Sequence, residues 1–372
     1  MLQNVRILSV LFALFPAIAW SEWEVNMTRG VTDTSAAVFD LHMIVFYICV
    51  AISVVVFGVM FWSIYHHRKS KGAESHPFHE STSIEILWTI VPTIILIIIL
   101  VPATKTLVGI YDTAESDMDI QVTGYQWKWR YKYIGQDVDF FSVLTTPSDE
   151  IYNKAEKNSN YLLEVDNPLV VPINKKIRFL FTSNDVIHAW WVPALALKKD
   201  AIPGFINESF TKINEPGIYR GQCAELCGKD HGFMPIVIKA VPEDEYIAWL
   251  DEQRSLKEKE ASASQKDWTM EELMVKGEQV YNKNCSACHQ PTGVGLPPVF
   301  PALKGSAIAL GTMEGHLDIV FNGKAGTGMS GYGEQLSAVD LAAVVTYERN
   351  AWGNNVGDIL LPADVEKMKG GK

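Results

Sequence analysis

Within Gly221–Pro235 two thiols, an imidazole and a thioether fall close together: Cys223, Cys227, His231 and Met234. This is a soft donor set, suited to copper rather than to magnesium or calcium. The three residues between Cys223 and Cys227 let one tight loop aim both sulfurs at a single point, and Gly228 and Gly232 relax the backbone around it. A second imidazole stands upstream, His188 in Asn184–Pro193. A donor so remote in sequence requires a β-sheet scaffold that carries both loops at one end. The plainer reading of Cys223 and Cys227 is a disulfide, which an exported domain could form. Adding His231, Met234 and His188 moves the balance to a metal site.

A second constellation is Cys285-Ser286-Ala287-Cys288-His289. Cys-x-x-Cys-His is the attachment signature of c-type haem. One helical turn places both thiols to form thioethers with the porphyrin vinyls, while His289 reaches the iron. A redox dithiol would need a thioredoxin-like strand pattern, which the flanking sequence lacks. Leu296–Leu303 supplies an apolar loop able to cover a porphyrin, and Asn322–Gly333 presents Met329 on a glycine-rich loop. Met313 opens an expected helix and Met368 lies in the tail, so Met329 is the expected sixth ligand. Leu341–Trp352 is expected to be a closing amphipathic helix, completing a layout that resembles a class I cytochrome c. A His/Met pair raises the iron potential and leaves no open position, which describes a carrier and not a peroxidase.

The elements that must position these groups are legible from patterning. The chain has 372 residues, 48% hydrophobic and 20% charged, with formal net charge −11, a balance that argues against nucleic acid as a partner. Residues 1–19 read as a secretory signal, with Arg6, the apolar run Ile7–Phe15 and Ala17-Ile18-Ala19; the run is short for a third membrane helix. Uncharged runs Met43–Tyr65 and Ile86–Thr104 are each long enough to cross a ~30 Å hydrocarbon core, giving spans over 40–65 and 85–106 within an N-terminal segment 20–110. The basic connection His66–Lys71 should face the cytoplasm, leaving all that follows Lys105 outside. Trp62 and Trp88 suit interface anchors, and Cys49 reads as a small core hydrophobe. Glu85, a carboxylate at the mouth of an apolar helix, is a functional candidate by default.

From 111 to 242 short alternating runs, among them Asp119–Thr123, Tyr161–Val165, Lys176–Phe181 and Met234–Ile238, predict an antiparallel β-sandwich. Alternation through Tyr125–Tyr131 would put Trp127, Trp129 and Tyr131 on one face. Residues 243–268 turn polar and read as a short helix and a linker, flexible at Ala261–Gln265. The haem domain follows over 269–360 and a tail over 361–372.

The hairpin, the copper loop and the Cys-x-x-Cys-His segment together resemble subunit II of a haem–copper cytochrome c oxidase with a fused cytochrome c, the caa-type arrangement of bacteria. That resemblance implies a transmembrane hairpin, a cupredoxin-like sandwich and an all-α cytochrome domain in the cytoplasmic membrane, with copper and haem domains on the periplasmic side. It implies a binuclear copper centre, CuA, bridged by Cys223 and Cys227, with His188 and His231 each on one metal and Met234 and the Glu225 carbonyl as weak axial donors. The Glu225 side chain would reach a magnesium site shared with subunit I. Trp127 would be the point where electrons reach copper, and Glu85 would stand at the entrance of a proton pathway. Electrons would run from an external donor such as cytochrome c through haem c and copper to haem a of subunit I, where oxygen is reduced to water with proton pumping; subunit III and membrane lipid are further implied partners. Lys128 stands where the family usually has an aromatic, and Phe205 where many members have Arg. A quinol oxidase subunit would lack these copper donors, and a copper chaperone would have no use for the haem motif.

Overall fold

The computed structural model describes residues 26–74 and 79–370, so the expected signal segment 1–19 lies outside the described residues. The chain divides into two compact units, one up to Ile247 and one from Ala248 onward.

The first unit begins with helices α1 (Asp33–His66) and α2 (Thr82–Ile110). Both outrun the predicted spans, as helices continuing into the interface should. Val54, Phe61, Leu96 and Val101 are among the apolar side chains left exposed along them, an arrangement stable in lipid rather than in water. Cys49 is exposed on α1, not in a core, because two helices offer only one mutual seam. Trp62 and Trp88 sit at the same end of the hairpin, beside the basic 3-10 turn Lys69–Lys71. At the other end Thr32 caps α1 in a reciprocal box with Ser35, and its hydroxyl donates to the Leu195 carbonyl. Val31 also bonds Ala194, so the outer end of α1 is tied to the domain that follows.

That domain is a sandwich of two five-stranded sheets. One has the order β3 (Val138–Ser142), β2 (Lys128–Tyr133), β1 (Met118–Tyr125), β5 (Ile177–Ser183), β8 (Asn207–Thr211). The other runs β4 (Leu169–Pro172), β10 (Pro235–Val241), β9 (Gly217–Cys223), β6 (His188–Val192), β7 (Leu197–Ala201). Most ladders are antiparallel as expected; β1–β5 and β4–β10 pair in parallel. Between the sheets lie Trp129, Tyr131, Phe179, Phe181 and Trp190, all fully buried. Strict alternation in Ile177–Ser183 (buried at 177, 179, 181 and 183) shows why this sequence makes a strand with one face inward. Two expectations change. Tyr161–Val165 is not a strand: Leu162 has φ +60° and Leu163 closes a turn on Asn160, leaving one bridge, Val165 to Leu144. Trp127 does not share the face of Trp129 and Tyr131, because Gln126 and Trp127 form the two-residue turn between β1 and β2.

Helix α3 (Glu243–Ser264) crosses the division between the units. The Ala261–Gln265 stretch expected to be flexible is helical through Ser264, as its alanines and the long charged run before it favour. The second unit then folds as α4 (Met270–Asn284), the single turn α5 (Ser286–His289), α6 (Met313–Asn322), α7 (Ala338–Asn350) and α8 (Pro362–Gly370). Thr269 and Glu272 form a capping box on α4. Helices α4 and α7 touch closely at Gly277, where an added Cβ would lie 2.2 Å from the Ala343 carbonyl oxygen. The expected amphipathic closing helix is instead buried on every side from Leu341 to Arg349, since α4, α6 and α8 all pack on it. The expected tail is therefore part of the core: Val365 of α8 is fully buried and Met368 packs against the same cluster.

Candidate functional site: a thiolate–imidazole cluster and a Cys-x-x-Cys-His turn

The end of the second sheet gathers the copper candidates. Cys223 is the last residue of β9, His188 the first of β6, and Met234 the residue before β10. The β9–β10 connection carries Cys227 and the turn His231–Phe233. Pairing of Trp190 with Cys223 sets His188 just beyond the end of β9, beside the loop. The remote imidazole is thus delivered by strand adjacency, as the sequence required.

The two sulfurs stand 3.9 Å apart and both cysteines are free. That is nearly twice a disulfide bond length. His188 Nδ1 lies 4.0 Å from Cys223 Sγ, and the Glu225 carbonyl 3.4 Å from the same sulfur. His231 Nδ1 and Met234 Sδ each lie 3.5 Å from Cys227 Sγ. Every sulfur therefore has its own imidazole and its own weaker donor. His188 is completely buried, and Cys223, Cys227 and Met234 are buried with it. Donor atoms of His188, Cys223 and Cys227 lie within 4.8 Å of one another. A buried soft set with no carboxylate among its closest donors fits copper.

Electrostatics prepare the site for a cation. Cys223 is held well below its ordinary thiol value by the hydrogen bond from Cys227, against burial, with His188 assisting. Cys227 is pushed well above its own by that same bond, by burial and by the charge on Cys223. Burial works against a charge on His188, yet the carboxylate of Asp185 and the sulfur of Cys223 outweigh it and raise the imidazole. Asp185 takes the outer nitrogen, Nε2, at 2.9 Å, leaving Nδ1 toward the sulfurs. Burial raises the Asp185 carboxyl, but bonds from His188 and from the Gln126 and Val186 backbone bring it below its usual range.

Several of these supports were not singled out in the sequence. Asp185 and Gln126 lie beside quoted residues, but only the fold shows their targets. Gln126 donates its amide to the Cys227 carbonyl at 2.8 Å, and Trp127 donates its indole N–H to the same oxygen at 3.3 Å. Trp129 donates to the Met234 carbonyl at 3.2 Å and lays its ring edge-on to His188. Gly124 makes room for that imidazole: a Cβ there would sit 2.6 Å from His188 Cδ2. Lys128, buried in place of the expected aromatic, extends over the Phe141 ring. The Glu225 side chain is exposed, and Phe205 is exposed with no role in the cluster. Glu85 lies exposed in the first turn of α2, at the basic-loop end of the hairpin.

In the second unit Cys285 caps the turn Ser286–His289, so Cys285, Cys288 and His289 project from one helical turn. His289 Nδ1 is 2.9 Å from the Pro301 carbonyl, which accepts a hydrogen bond from that nitrogen and leaves Nε2 for a metal. Leu296 and Val299 on the covering loop are exposed, the apolar surface a porphyrin would cover. Met329 is half-buried on the loop between α6 and α7, its amide bonded to Thr327 Oγ1. Met313 and Met368 pack against the hydrophobic core. These residues fit a covalent c-type haem.

Comparison with known proteins assigns a family to each part of the chain. The profile described as "Cytochrome C oxidase subunit II, periplasmic domain" matches residues 118–241, and the one for the transmembrane domain of that subunit matches 20–106. A third, "Cytochrome C oxidase, cbb3-type, subunit III", matches 272–347. The chain is 39% identical over 229 residues to the probable cytochrome c oxidase subunit 2 of Rickettsia felis, covering 61% of this chain and 71% of that protein. It is 35% identical to cytochrome c oxidase subunit 2 of Arabidopsis thaliana, covering 65% and 94%. The crystal structure of the periplasmic domain of subunit II of cytochrome oxidase from Bradyrhizobium japonicum matches at 42% identity, covering 38% of this chain and 97% of that one, with TM-score 0.34. The chain belongs to the cytochrome c oxidase subunit II family and extends that family's membrane hairpin and periplasmic domain with a C-terminal cytochrome c domain.

Proposed function

We propose that this electron-transfer subunit takes electrons from an external donor such as a cytochrome c into its haem domain, passes them to its copper domain, and delivers them to haem a of subunit I in a caa-type oxidase. The observation that carries the copper reading is the pairing of donors, one imidazole and one weak donor to each of two sulfurs 3.9 Å apart. That donor set would hold two coppers, with Cys223 and Cys227 as thiolates, His188 and His231 as imidazoles, and Met234 and the Glu225 carbonyl as weaker donors. Such a copper pair, and a haem held by Cys285, Cys288, His289 and Met329, would supply two one-electron carriers with no open position for substrate.

The residues around the copper cluster hold it rigid. Asp185 fixes the His188 ring, Trp129 ties the Met234 backbone, and Gln126 with Trp127 ties the Cys227 backbone. A cage that cannot relax keeps the reorganisation on electron transfer small. Trp127, half-buried and one hydrogen bond from the Cys227 backbone, is suited to be where electrons arrive. The exposed Glu225 carboxylate would contribute to a magnesium site at the subunit I surface, and Glu85 would collect protons on the cytoplasmic side of the bacterial inner membrane. Oxygen reduction and proton pumping belong to subunit I; subunit III and membrane lipid complete the surroundings.

Donor-driven reduction of copper, followed by rapid mixing in the assembled oxidase, tests this. Trp127→Phe is expected to slow electron arrival at copper roughly tenfold or more with copper content unchanged. An unaltered rate would remove Trp127 from the route.

A further inference from the structure

In the C-terminal domain one buried acid–base pair lies outside the residues read as binding haem. His316 of α6 and Glu348 of α7 meet at 2.8 Å, Nε2 to Oε2, with side chains 2% and 4% exposed. His316 Nδ1 is buried with no hydrogen-bond partner among the described residues. The adjacent cation does not serve the pair. Arg349 bonds Asp358 through two nitrogens, at 2.8 and 2.7 Å, and donates further to the Ala309 and Gly311 carbonyls. Asn354 donates to the backbone oxygen of Glu348, not to its carboxylate.

The charge states of such a pair are limited. With a neutral imidazole donating Nε2–H to the carboxylate, the pair is a net anion in a core of valine, alanine and leucine side chains. A second proton makes it neutral overall, either as an ion pair or as an acid beside an imidazole. A lone buried charge is costly, so the pair responds strongly to any other charge that shares its low-dielectric surroundings. The titratable groups that face it are Tyr281 from α4, Tyr332 from the loop before α7, and Asp358 from the segment after α7, which Arg349 of α7 itself holds. The hydrophobic cluster around the pair packs directly against Cys285 and Tyr332, and Tyr332 donates its hydroxyl to the Asn284 carbonyl, next to Cys285, at 3.1 Å. Burial raises both phenols, as do Glu348 and Cys285.

We propose that His316 and Glu348 form a proton-binding site whose occupancy is linked to the electron on the haem held by Cys285, Cys288 and His289. The inference rests on the haem-binding reading of that domain. An oxidised iron, more positive by one charge, favours the anionic pair. When an electron reaches the iron, the pair takes one proton from solvent, on the free His316 Nδ1 or on the carboxylate, and no other bond changes. Linkage is reciprocal: if reduction favours the proton, the proton favours reduction. The haem midpoint potential therefore falls as pH rises through the range where the pair titrates. A tenfold preference of the reduced state for the proton is worth about 59 mV.

The test uses the full chain with its haem and copper, following haem reduction by its visible absorption between about pH 5 and 8. A falling potential in the wild type is expected, with the slope lost in Glu348→Gln while the low-spin haem spectrum remains. The paired substitution His316→Leu with Glu348→Leu, which leaves no polar group orphaned, should flatten the profile too and decides the matter if E348Q fails to fold. A pH-independent wild type, or the same slope in the variants, overturns the proposal. A chain that attaches no haem when matured overturns the haem reading itself, whereas intact haem with a flat profile overturns only the proton link.

Discussion

At the level of single residues, His188, Cys227 and Met234 are each fixed by a residue that is not itself a candidate donor. Replacing Asp185 by Asn removes the negative partner of His188 Nε2; copper affinity, measured by competition with a chelator, should fall about 10- to 100-fold. Gly124→Ala puts a methyl where the His188 ring lies, so copper binding should be lost or its spectrum changed while the sandwich still folds. Cys223 and burial raise the Cys227 thiol. Copper binds thiolates and expels their protons, so apparent affinity should rise with pH, about tenfold per unit for each proton released. Calorimetry in buffers of differing ionisation enthalpy counts the protons directly. The donors themselves were legible in the sequence, since Cys223, Cys227, His231 and Met234 share one loop and their chemistry is specific. Gly124, Gln126, Asp185 and Trp129 were not, because their partners come from other strands and nothing local marks the contact. Trp127 was recognisable, but its placement in a turn was hidden by an alternation that stops at Lys128.

Among the elements, the helices of the C-terminal domain show how tertiary packing overrides local pattern. Helix α7 carries Thr346, Glu348 and Arg349, polar residues that suggest an exposed face, yet all three are buried, each bonded to a polar partner: the Leu360 amide, His316 and Asp358. The sequence gives no sign of His316 or Asp358 as those partners. Gly277 allows α4 and α7 to approach; Gly277→Ala should cost about 1–3 kcal/mol by forcing the backbones apart, seen as a lower unfolding temperature and poorer haem retention. Asp358 is held below the usual carboxylate range by the Arg349 hydrogen bond, against some burial. A depressed carboxyl contributes stability that is present above the unfolded value, about 3.9, and is lost as pH falls through the folded one. Asp358→Asn should therefore lower stability near neutrality and make the loss toward acid shallower, read from unfolding midpoints across a pH series. The long apolar helices and most strands were legible by period alone, whereas Tyr161–Val165 has a strand's composition and a turn's backbone at Leu162.

Across the whole molecule, the candidate copper donors and the candidate haem ligands reside in separate compact units. Removing copper with a chelator should accordingly leave the haem spectrum intact, and Cys285→Ala with Cys288→Ala should abolish covalent haem without reducing copper content. The tie between Thr32 and Leu195 and the bond from Val31 to Ala194 anchor the sandwich to the outer end of α1, so the copper domain is held at the membrane surface where a catalytic partner would meet it. The proposed electron path requires that Cys223 and Cys227 together hold two coppers and that the C-terminal domain carries a low-spin haem. Metal analysis and electron paramagnetic resonance of the purified full chain check both. Expected are two coppers per haem, one unpaired electron shared equally by both metals, and a low-spin c-type haem signal. A single copper with a one-metal spectrum, or a Cys223–Cys227 disulfide in metal-loaded protein, would contradict that path.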